Sequence, residues 1–110
     1  MTLEEFHTKL TEASSVPLFY EIITVEKEED MPTKYLYYVT GETVTFCADN
    51  KVKWSSIPIE LVIAHGPKGL DDSLKAMVNE LLNEEEIPYR SRDSYNNQLT
   101  MWITTYNFRI

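Results

Sequence analysis

The chain is poor in several residue types, and each shortage argues against a class of protein. Its 110 residues include one cysteine, three glycines and two histidines. A single cysteine forms no disulfide within the chain, which favours a reducing compartment. Three glycines are too few for a glycine-rich loop around phosphate groups. No apolar run approaches the roughly 18 residues of a membrane-spanning helix, and the acidic N-terminus does not have the basic and apolar regions of a signal peptide.

Basic residues are also scarce. Ten Lys and Arg stand against eighteen Asp and Glu, which gives a formal net charge of −8. Such a field repels nucleic-acid phosphates and anionic lipid, so specific binding to either is disfavoured. The acidic run at 26–30 predicts a solvated loop, and the run at 84–86 predicts a helix end. The second run is unusual because a helix C-terminus disfavours acid, a placement that is consistent with a basic partner.

The composition is otherwise that of one domain with a packed core, since 43% of the residues are hydrophobic and 12% aromatic. The pattern predicts an α+β fold, a mostly antiparallel twisted sheet with two helices packed on it, in the order α-β-β-β-α-β-β. The predicted helices span residues 3–13, after an N-cap at Thr2, and residues 72–85, after an N-cap at Asp71 or Asp72. The predicted strands span residues 18–25, 35–40, 52–63, 89–95 and 99–110.

Periodicity also predicts the core. Apolar residues recur at helical spacing in the second helix and at alternate positions in the third strand. The predicted core residues are Ile59, Leu61, Ile63, Leu74, Met77, Val78, Leu81 and Leu82. Pro58 cannot donate to a strand ladder, so it predicts an edge position or a bulge early in that strand. Asn96 and Asn97 tolerate positive φ and predict the turn between the last two strands.

Reactive side chains do not converge in any recognised motif. His7 and His65 have no other ligand at metal-binding spacing, and both are predicted to be polar surface residues. Cys47 follows Phe46 in a β-like stretch without basic neighbours, which favours a small buried side chain. The sequence therefore predicts no catalytic residue, no metal site and no cofactor.

Aromatic residues are more informative. The strands carry aromatic and apolar residues on both faces, including Tyr35, Tyr37, Tyr38, Trp54, Trp102, Tyr106 and Phe108. One face is explained by the core. Two explanations stay open for the other face: it forms part of a subunit interface, or the two helices cover opposite faces of the sheet.

Residues 17–110 resemble a known family through a series of structural motifs. These are Ala48-Asp49-Asn50-Lys51-Val52, the strand from Ile57 to Ile63, Leu81-Leu82-Asn83-Glu84, Ile87-Pro88-Tyr89, Tyr95 and a final Tyr106-x-Phe108-x-Ile110. The pattern resembles the small tail-terminator and head–tail joining proteins of long-tailed, siphovirus-type phages of Gram-positive bacteria. The chain departs from that pattern at residues 62–69 and in the last hairpin, where relatives carry several Glu residues.

The resemblance implies a non-enzymatic virion protein, made in the host cytoplasm. Its subunits would form a homo-oligomer, a hexameric ring that caps the tail tube and contacts the tail tube protein and the head–tail connector protein. DNA would pass through such a ring without specific binding, which suits an acidic chain, and no membrane is involved. The candidate interface or lumen loops are residues Glu26, Glu28, Glu29 and Asp30, and residues Asp49, Asn50 and Lys51.

Three alternatives compete with the tail terminator. The first is another head–tail connector or neck subunit, which has the same acidic α+β character. The second is an acidic DNA mimic that inhibits a host nuclease, although the acids are clustered in loops and mixed with lysines. The third is a small enzyme that uses Glu60, Asp71 and Asp72, or a histidine, as acid and base. A structural explanation also accounts for both aspartates: one is the N-cap of the second helix, and the other complements the helix dipole beside it.

Overall fold

The computed structural model describes residues 2–21, 33–42, 44–48 and 51–110, and it covers only the backbone of residues 44–48 and 51–55. The elements, in chain order, are α1 (Leu3–Ala13), β1 (Leu18–Tyr20), β2 (Tyr35–Thr40), β3 (Val44–Ala48), β4 (Lys51–Ser56), β5 (Pro58–Gly66), α2 (Asp72–Glu84), β6 (Tyr89–Asn96) and β7 (Met101–Arg109). The predicted α+β class is confirmed.

The main sheet has five strands in the order β1-β2-β5-β7-β6. Every neighbouring pair is antiparallel except β1 and β2, which run parallel. With α1 and α2, these five strands give the predicted order α-β-β-β-α-β-β. Strand β1 is shorter than predicted because Glu21, with φ 60°, turns the chain after Tyr20, and the predicted continuation at 22–25 lies outside the described residues.

Both helices begin as their sequences predict. Thr2 Oγ1 accepts the backbone N–H of Glu5 at 3.1 Å, and Asp71 Oδ1 accepts those of Ser73 and Leu74 at 3.0 and 3.2 Å. These bonds satisfy N–H groups that have no partner inside a helix. Asp71, rather than Asp72, is therefore the N-cap of α2.

Helix α2 ends in a Schellman motif. The N–H of Ile87 bonds to the carbonyl of Leu82 at 2.9 Å, and the N–H of Glu86 bonds to the carbonyl of Asn83 at 3.1 Å. Glu86 has φ 56°, in the left-handed region that usually takes glycine at this position. The motif turns the chain from α2 into β6 and places Ile87 against the core.

The long strand predicted over 52–63 is wrong in one respect, because the chain breaks at Ile57. Residues before the break form β4, which pairs with β3 in a separate two-stranded antiparallel sheet that the prediction does not contain. Residues after it form β5. The break falls where Pro58 removes a donor from the ladder.

Strand β5 is the central strand of the main sheet, so the prediction of an edge position for Pro58 is wrong. Proline is tolerated because it is the first residue of β5, where a missing donor costs least. Its carbonyl still accepts the N–H of Gly41 at 2.9 Å. The register irregularity of β5 lies at its other end, between Ala64 and Gly66.

The β6–β7 turn spans residues 97–100, so it only overlaps with the predicted turn at Asn96 and Asn97, and Leu99 lies in the turn rather than in the strand. Asn96 accepts the N–H of Leu99 through its side-chain Oδ1 at 2.9 Å, and the residue with positive φ is Thr100, at 50°, rather than an asparagine. The Asn96 side chain thus accepts a backbone N–H of the turn in place of a backbone carbonyl.

The core lies between the helices and one face of the main sheet. Seven of the predicted core residues are buried, namely Ile59, Leu61, Ile63, Leu74, Val78, Leu81 and Leu82. Met77 is only half-buried, which corrects its assignment to the core: it packs at the edge of the cluster. Phe6 and Leu10 of α1, together with Leu36, Tyr38, Tyr106 and Phe108, complete the core.

Candidate functional site

The two helices lie on the same face of the main sheet. Phe6 of α1 makes edge-on contacts with Tyr38 of β2 and Phe108 of β7, with ring centroids 5.3 and 5.5 Å apart. Asn79 of α2 accepts a hydrogen bond from Tyr106 of β7 at 2.9 Å. The register places Tyr38, Tyr106 and Phe108 on one face. The explanation in which the helices cover opposite faces is therefore wrong.

The opposite face of the main sheet has neither helix on it, and we call it the open face. Its side chains are those that alternate with the core residues along β2, β5, β7 and β6. They include Tyr35, Tyr37, Val39, Glu60, Val62, Ala64, Arg90, Arg92, Ile103, Thr105, Asn107 and Arg109. One end of the open face is covered, because Tyr35 and Ala64 are buried there and Tyr35 contacts Phe19 edge-on at 5.7 Å. The rest of its centre is apolar and half-buried, whereas Glu60, Asn107 and the three arginines are exposed.

All three arginines of the chain lie on the open face. Arg90 and Arg92 are alternate residues of β6, and Arg90 is paired in register with Asn107, two residues before Arg109 of β7. The three guanidinium groups therefore share one side of the sheet. No ion pair between two described residues includes any of them. Arg109 donates through Nε to Ser56 Oγ at 2.7 Å.

The helical layer carries the opposite charge. An open groove of about 450 Å³, which we call the interhelical groove, runs between the C-terminal ends of α1 and α2. It is lined by Lys9, Glu12, Ala13, Met77, Glu80, Leu81, Glu84 and Glu85. Lys9 forms an ion pair with Glu85, which leaves Glu12, Glu80 and Glu84 as exposed carboxylates around an apolar floor. Neither helix has a basic residue in its last turn.

A second groove, of about 770 Å³, crosses the end of the open face where β5 begins. Its lining includes Glu60, Arg90 and Arg109, together with Pro58 and Pro88. Like the interhelical groove, it is open to solvent, so it is a contact surface rather than an enclosed binding site.

A buried polar network surrounds His65, which corrects the prediction that this histidine lies on the surface. His65 is 2% exposed, and its Nδ1 accepts the backbone N–H of Asp71 at 2.8 Å. The ring proton is therefore on Nε2, which lies 2.7 Å from Thr104 Oγ1. Thr104 in turn donates to Asp93 Oδ1 at 2.7 Å, and Lys75 pairs with Asp93 Oδ2 at 2.9 Å.

The ionisation of these groups follows from their contacts. Burial lowers the pKa of His65 below its ordinary value, although Asp71 and Asp93 act in the other direction. The hydrogen bond from Lys34 to Asp71, at 2.8 Å, holds the pKa of that carboxyl below its usual range. Lys75 and then Thr104 do the same for the pKa of Asp93. The network contains a neutral imidazole between two ionised carboxylates.

The network holds elements together and does not expose a nucleophile. Thr104 is 0% exposed, so its hydroxyl is out of reach of a substrate. His65 is at the end of β5, Asp71 caps α2, and Asp93 and Thr104 face each other on β6 and β7. A chain of hydrogen bonds therefore ties the N-terminus of α2 to three strands of the sheet.

The acid–base set Glu60, Asp71 and Asp72 is not brought together. Glu60 points from the open face, whereas Asp71 and Asp72 are at the start of α2 on the other side of the sheet. The described residues contain no cluster of three or more His, Cys, Asp and Glu side chains that could hold a metal ion.

His7 is exposed on α1, as predicted, but it has a specific partner. Its Nδ1 lies 2.6 Å from the hydroxyl of Tyr38. Burial, with smaller contributions from Tyr20 and Glu21, raises the pKa of Tyr38 to about 12, and burial also raises the pKa of Tyr106 to about 12. These tyrosines are neutral core residues that attach each helix to the sheet.

Exposed aromatic side chains lie at the β6–β7 turn. Tyr95 and Trp102 are both exposed and contact each other edge-on at 5.3 Å, and Leu99 in the turn is 51% exposed. The sequence predicts surplus aromatic surface but does not place it at this turn.

The predicted interface loops lie largely outside the residues that the structure describes. Residues 26–30, 49 and 50 lie outside the described residues, as does the side chain of Lys51, the first residue of β4. The side chains of Cys47 and Trp54 are outside them as well.

Comparison with known proteins adds no family assignment. No protein-family model matches the chain, and no curated protein matches it. Within the described ranges, neither α-helix is long and apolar enough to cross a membrane.

Proposed function

We propose that this chain is a non-enzymatic structural subunit of a phage tail, the tail terminator. Copies of it would form a hexameric ring in the virion that caps the tail tube and joins it to the head connector. The observation that carries the proposal is the open face. In the part of the chain that the structure describes, neither helix covers this side of the sheet, and its exposed part around the three arginines is a surface that neighbours in an assembly could contact.

Two further observations support an assembly role. Among the described residues, His65, Asp71 and Asp93 have displaced pKa values, and each engages in a contact within the fold: a buried hydrogen bond, a helix cap and an ion pair respectively. Exposed aromatic residues at the β6–β7 turn supply the kind of side chain that dominates protein interfaces. The sequence resemblance to tail-terminator and head–tail joining proteins supplies the identity of the assembly.

Electron microscopy of the phage that encodes the chain tests the proposal. Gold-labelled antibody against the chain is expected at the head-proximal end of the tail, and a phage without the intact gene is expected to make tubes of irregular length. A chain that is absent from purified virions, with tails of normal length after gene disruption, contradicts the proposal. Label on the head connector of particles with normal tails supports the connector alternative, and copurification with a host nuclease alone supports the DNA mimic.

A further inference from the structure

The arginines and the glutamates of the interhelical groove are segregated on opposite sides of the main sheet, although one carboxylate, Glu60, is exposed on the open face as well. The three arginines are exposed on the open face, and exposed Glu12, Glu80 and Glu84 surround the interhelical groove on the helical side. From this segregation we infer that copies of the chain bind each other head to tail: the arginine side of the open face of one copy docks on the interhelical groove of the next. The inference deepens the proposed function, because it names the subunit contact of the ring.

The interhelical groove has the properties that an arginine requires. Its carboxylates can accept hydrogen bonds from a guanidinium group in the bidentate geometry that distinguishes arginine from lysine. Its floor of Ala13, Met77 and Leu81 is apolar, which suits the aliphatic stem of an arginine side chain. Arginine and methionine are both enriched at protein interfaces.

The helix ends add to this attraction. Ala13 and Glu84 are the last residues of α1 and α2, and both line the groove. Each C-terminus carries a partial negative charge, and neither helix has a basic residue in its last turn to balance it. A cation from a second copy would supply the missing balance. Glu84, in the unusual acidic run at 84–86, then has a partner.

Charge complementarity also fixes the symmetry of the contact. Two open faces brought together would place arginines against arginines, and two interhelical grooves would place carboxylates against carboxylates. Like charges in direct contact are strongly unfavourable. A symmetric two-fold dimer is therefore disfavoured at both surfaces. A contact between two different surfaces can repeat from copy to copy. It gives a closed ring when the rotation between neighbouring copies adds up to a full turn.

A second copy is favoured over nucleic acid as the occupant of the open face. The chain as a whole carries a net charge of −8, which repels a phosphate backbone at long range. The acidic groove that matches the arginines is on every copy of the same chain. Duplex DNA added to the protein is thus expected to leave its sedimentation unchanged.

Charge reversal of each side tests the contact. One variant combines Arg90→Glu with Arg92→Glu, and the other combines Glu80→Lys with Glu84→Lys. All four side chains are exposed, so the variants should fold. Sedimentation velocity up to about 1 mM, where weak interfaces associate, should show oligomers of the wild type and association at least about tenfold weaker for each variant. Sodium chloride near 1 M, which shortens the Debye length to about 3 Å, should weaken the wild-type oligomer too.

Mixing the two variants supplies the decisive result. Neither binds itself, but each presents a surface complementary to the other, so an equimolar mixture should recover oligomers in which the two variants alternate. A chain with all four substitutions should also recover association. The matched control is Glu4→Lys with Glu5→Lys, the same charge change at the opposite end of α1 and about 12 Å or more from Ala13, which should associate like the wild type.

The inference is wrong if the wild type stays monomeric at every concentration, if either reversed variant associates like the wild type, or if mixing restores nothing. These outcomes are separate from those of the proposed function. If the chain is found at tail ends but its association does not respond to charge reversal, the proposed function stands and the proposed contact is wrong. If the chain assembles by this contact but is missing from virions, the proposed contact stands and the proposed function is wrong.

Discussion

The buried histidine makes the stability of this fold depend on pH near neutrality. His65 accepts a hydrogen bond from the N–H of Asp71, so a proton on Nδ1 would break that bond inside the core. Its pKa is lowered in the folded state, while the unfolded chain titrates near the ordinary value of 6.5. Below about pH 6.5 the unfolded state therefore binds more protons than the folded state, and the free energy of unfolding falls as pH falls.

The size of the effect follows from linkage. One proton more in the unfolded state changes the free energy of unfolding by at most about 1.4 kcal/mol per pH unit. Asp71 and Asp93, whose pKa values are also lowered, contribute stability that is lost only below about pH 4. Urea unfolding followed by tryptophan fluorescence, between pH 8 and 5, should show constant stability above about pH 7 and a decline below it.

Substitution of each histidine in turn isolates the effect. His65→Gln leaves at least one buried partner without its bond, which should cost about 1–3 kcal/mol at pH 8 and remove the decline below neutrality. His7→Gln, on the exposed face of α1, is the matched control and should retain the decline. If the decline persists in His65→Gln, or disappears in His7→Gln, then His65 is not the group that titrates.

Two further predictions concern the helix cap and the core. Asp71→Ala removes the acceptor at the start of α2 and should reduce the free energy of unfolding by about 1 kcal/mol, with Asp72→Ala, its exposed neighbour, close to zero; equal effects in thermal unfolding would contradict the cap assignment. Leu82→Ala, at a side chain that is 0% exposed, should cost about 2–5 kcal/mol, while half-buried Met77→Ala should cost less than about 2 kcal/mol. A larger loss at Met77 in denaturant titrations would show that the helix face is drawn incorrectly.

Local sequence patterns predicted most of the helical layer and the strand faces. The stripe of Leu74, Val78 and Leu82 has a helical period. An aspartate directly before such a stripe is a strong N-cap signal, because its carboxylate can accept the unpaired N–H groups of the first turn. Alternation along β5 places Ile59, Leu61 and Ile63 inward, and the same alternation continues to residue 65. The burial of His65 was therefore available from the pattern, but its polar side chain led to the opposite prediction.

Other features depend on contacts that a local pattern does not contain. Amphipathic periods show that each helix buries one side, but the choice of sheet face depends on long-range packing such as that of Phe6 on Phe108. Glu86 gives no sign of its left-handed conformation, because glycine is the usual signal for a Schellman motif. The contrast between the arginine and glutamate surfaces emerges only when register and helix placement are combined.

The two-stranded sheet of β3 and β4 is an excursion from the turn between β2 and β5. Thr40 and Ile59 are paired in register, and Gly41 donates to the carbonyl of Pro58 just where the excursion leaves and returns. A Cβ on residue 41 would lie 2.7 Å from Pro58 Cγ, so only glycine allows the two ends to approach so closely. Strands β3 and β4 thus form a separate two-stranded sheet inserted into a hairpin of the main sheet. Since a doubling of loop length costs only about 0.6 kcal/mol, a change in the length of this insertion is expected to cost the main sheet little stability.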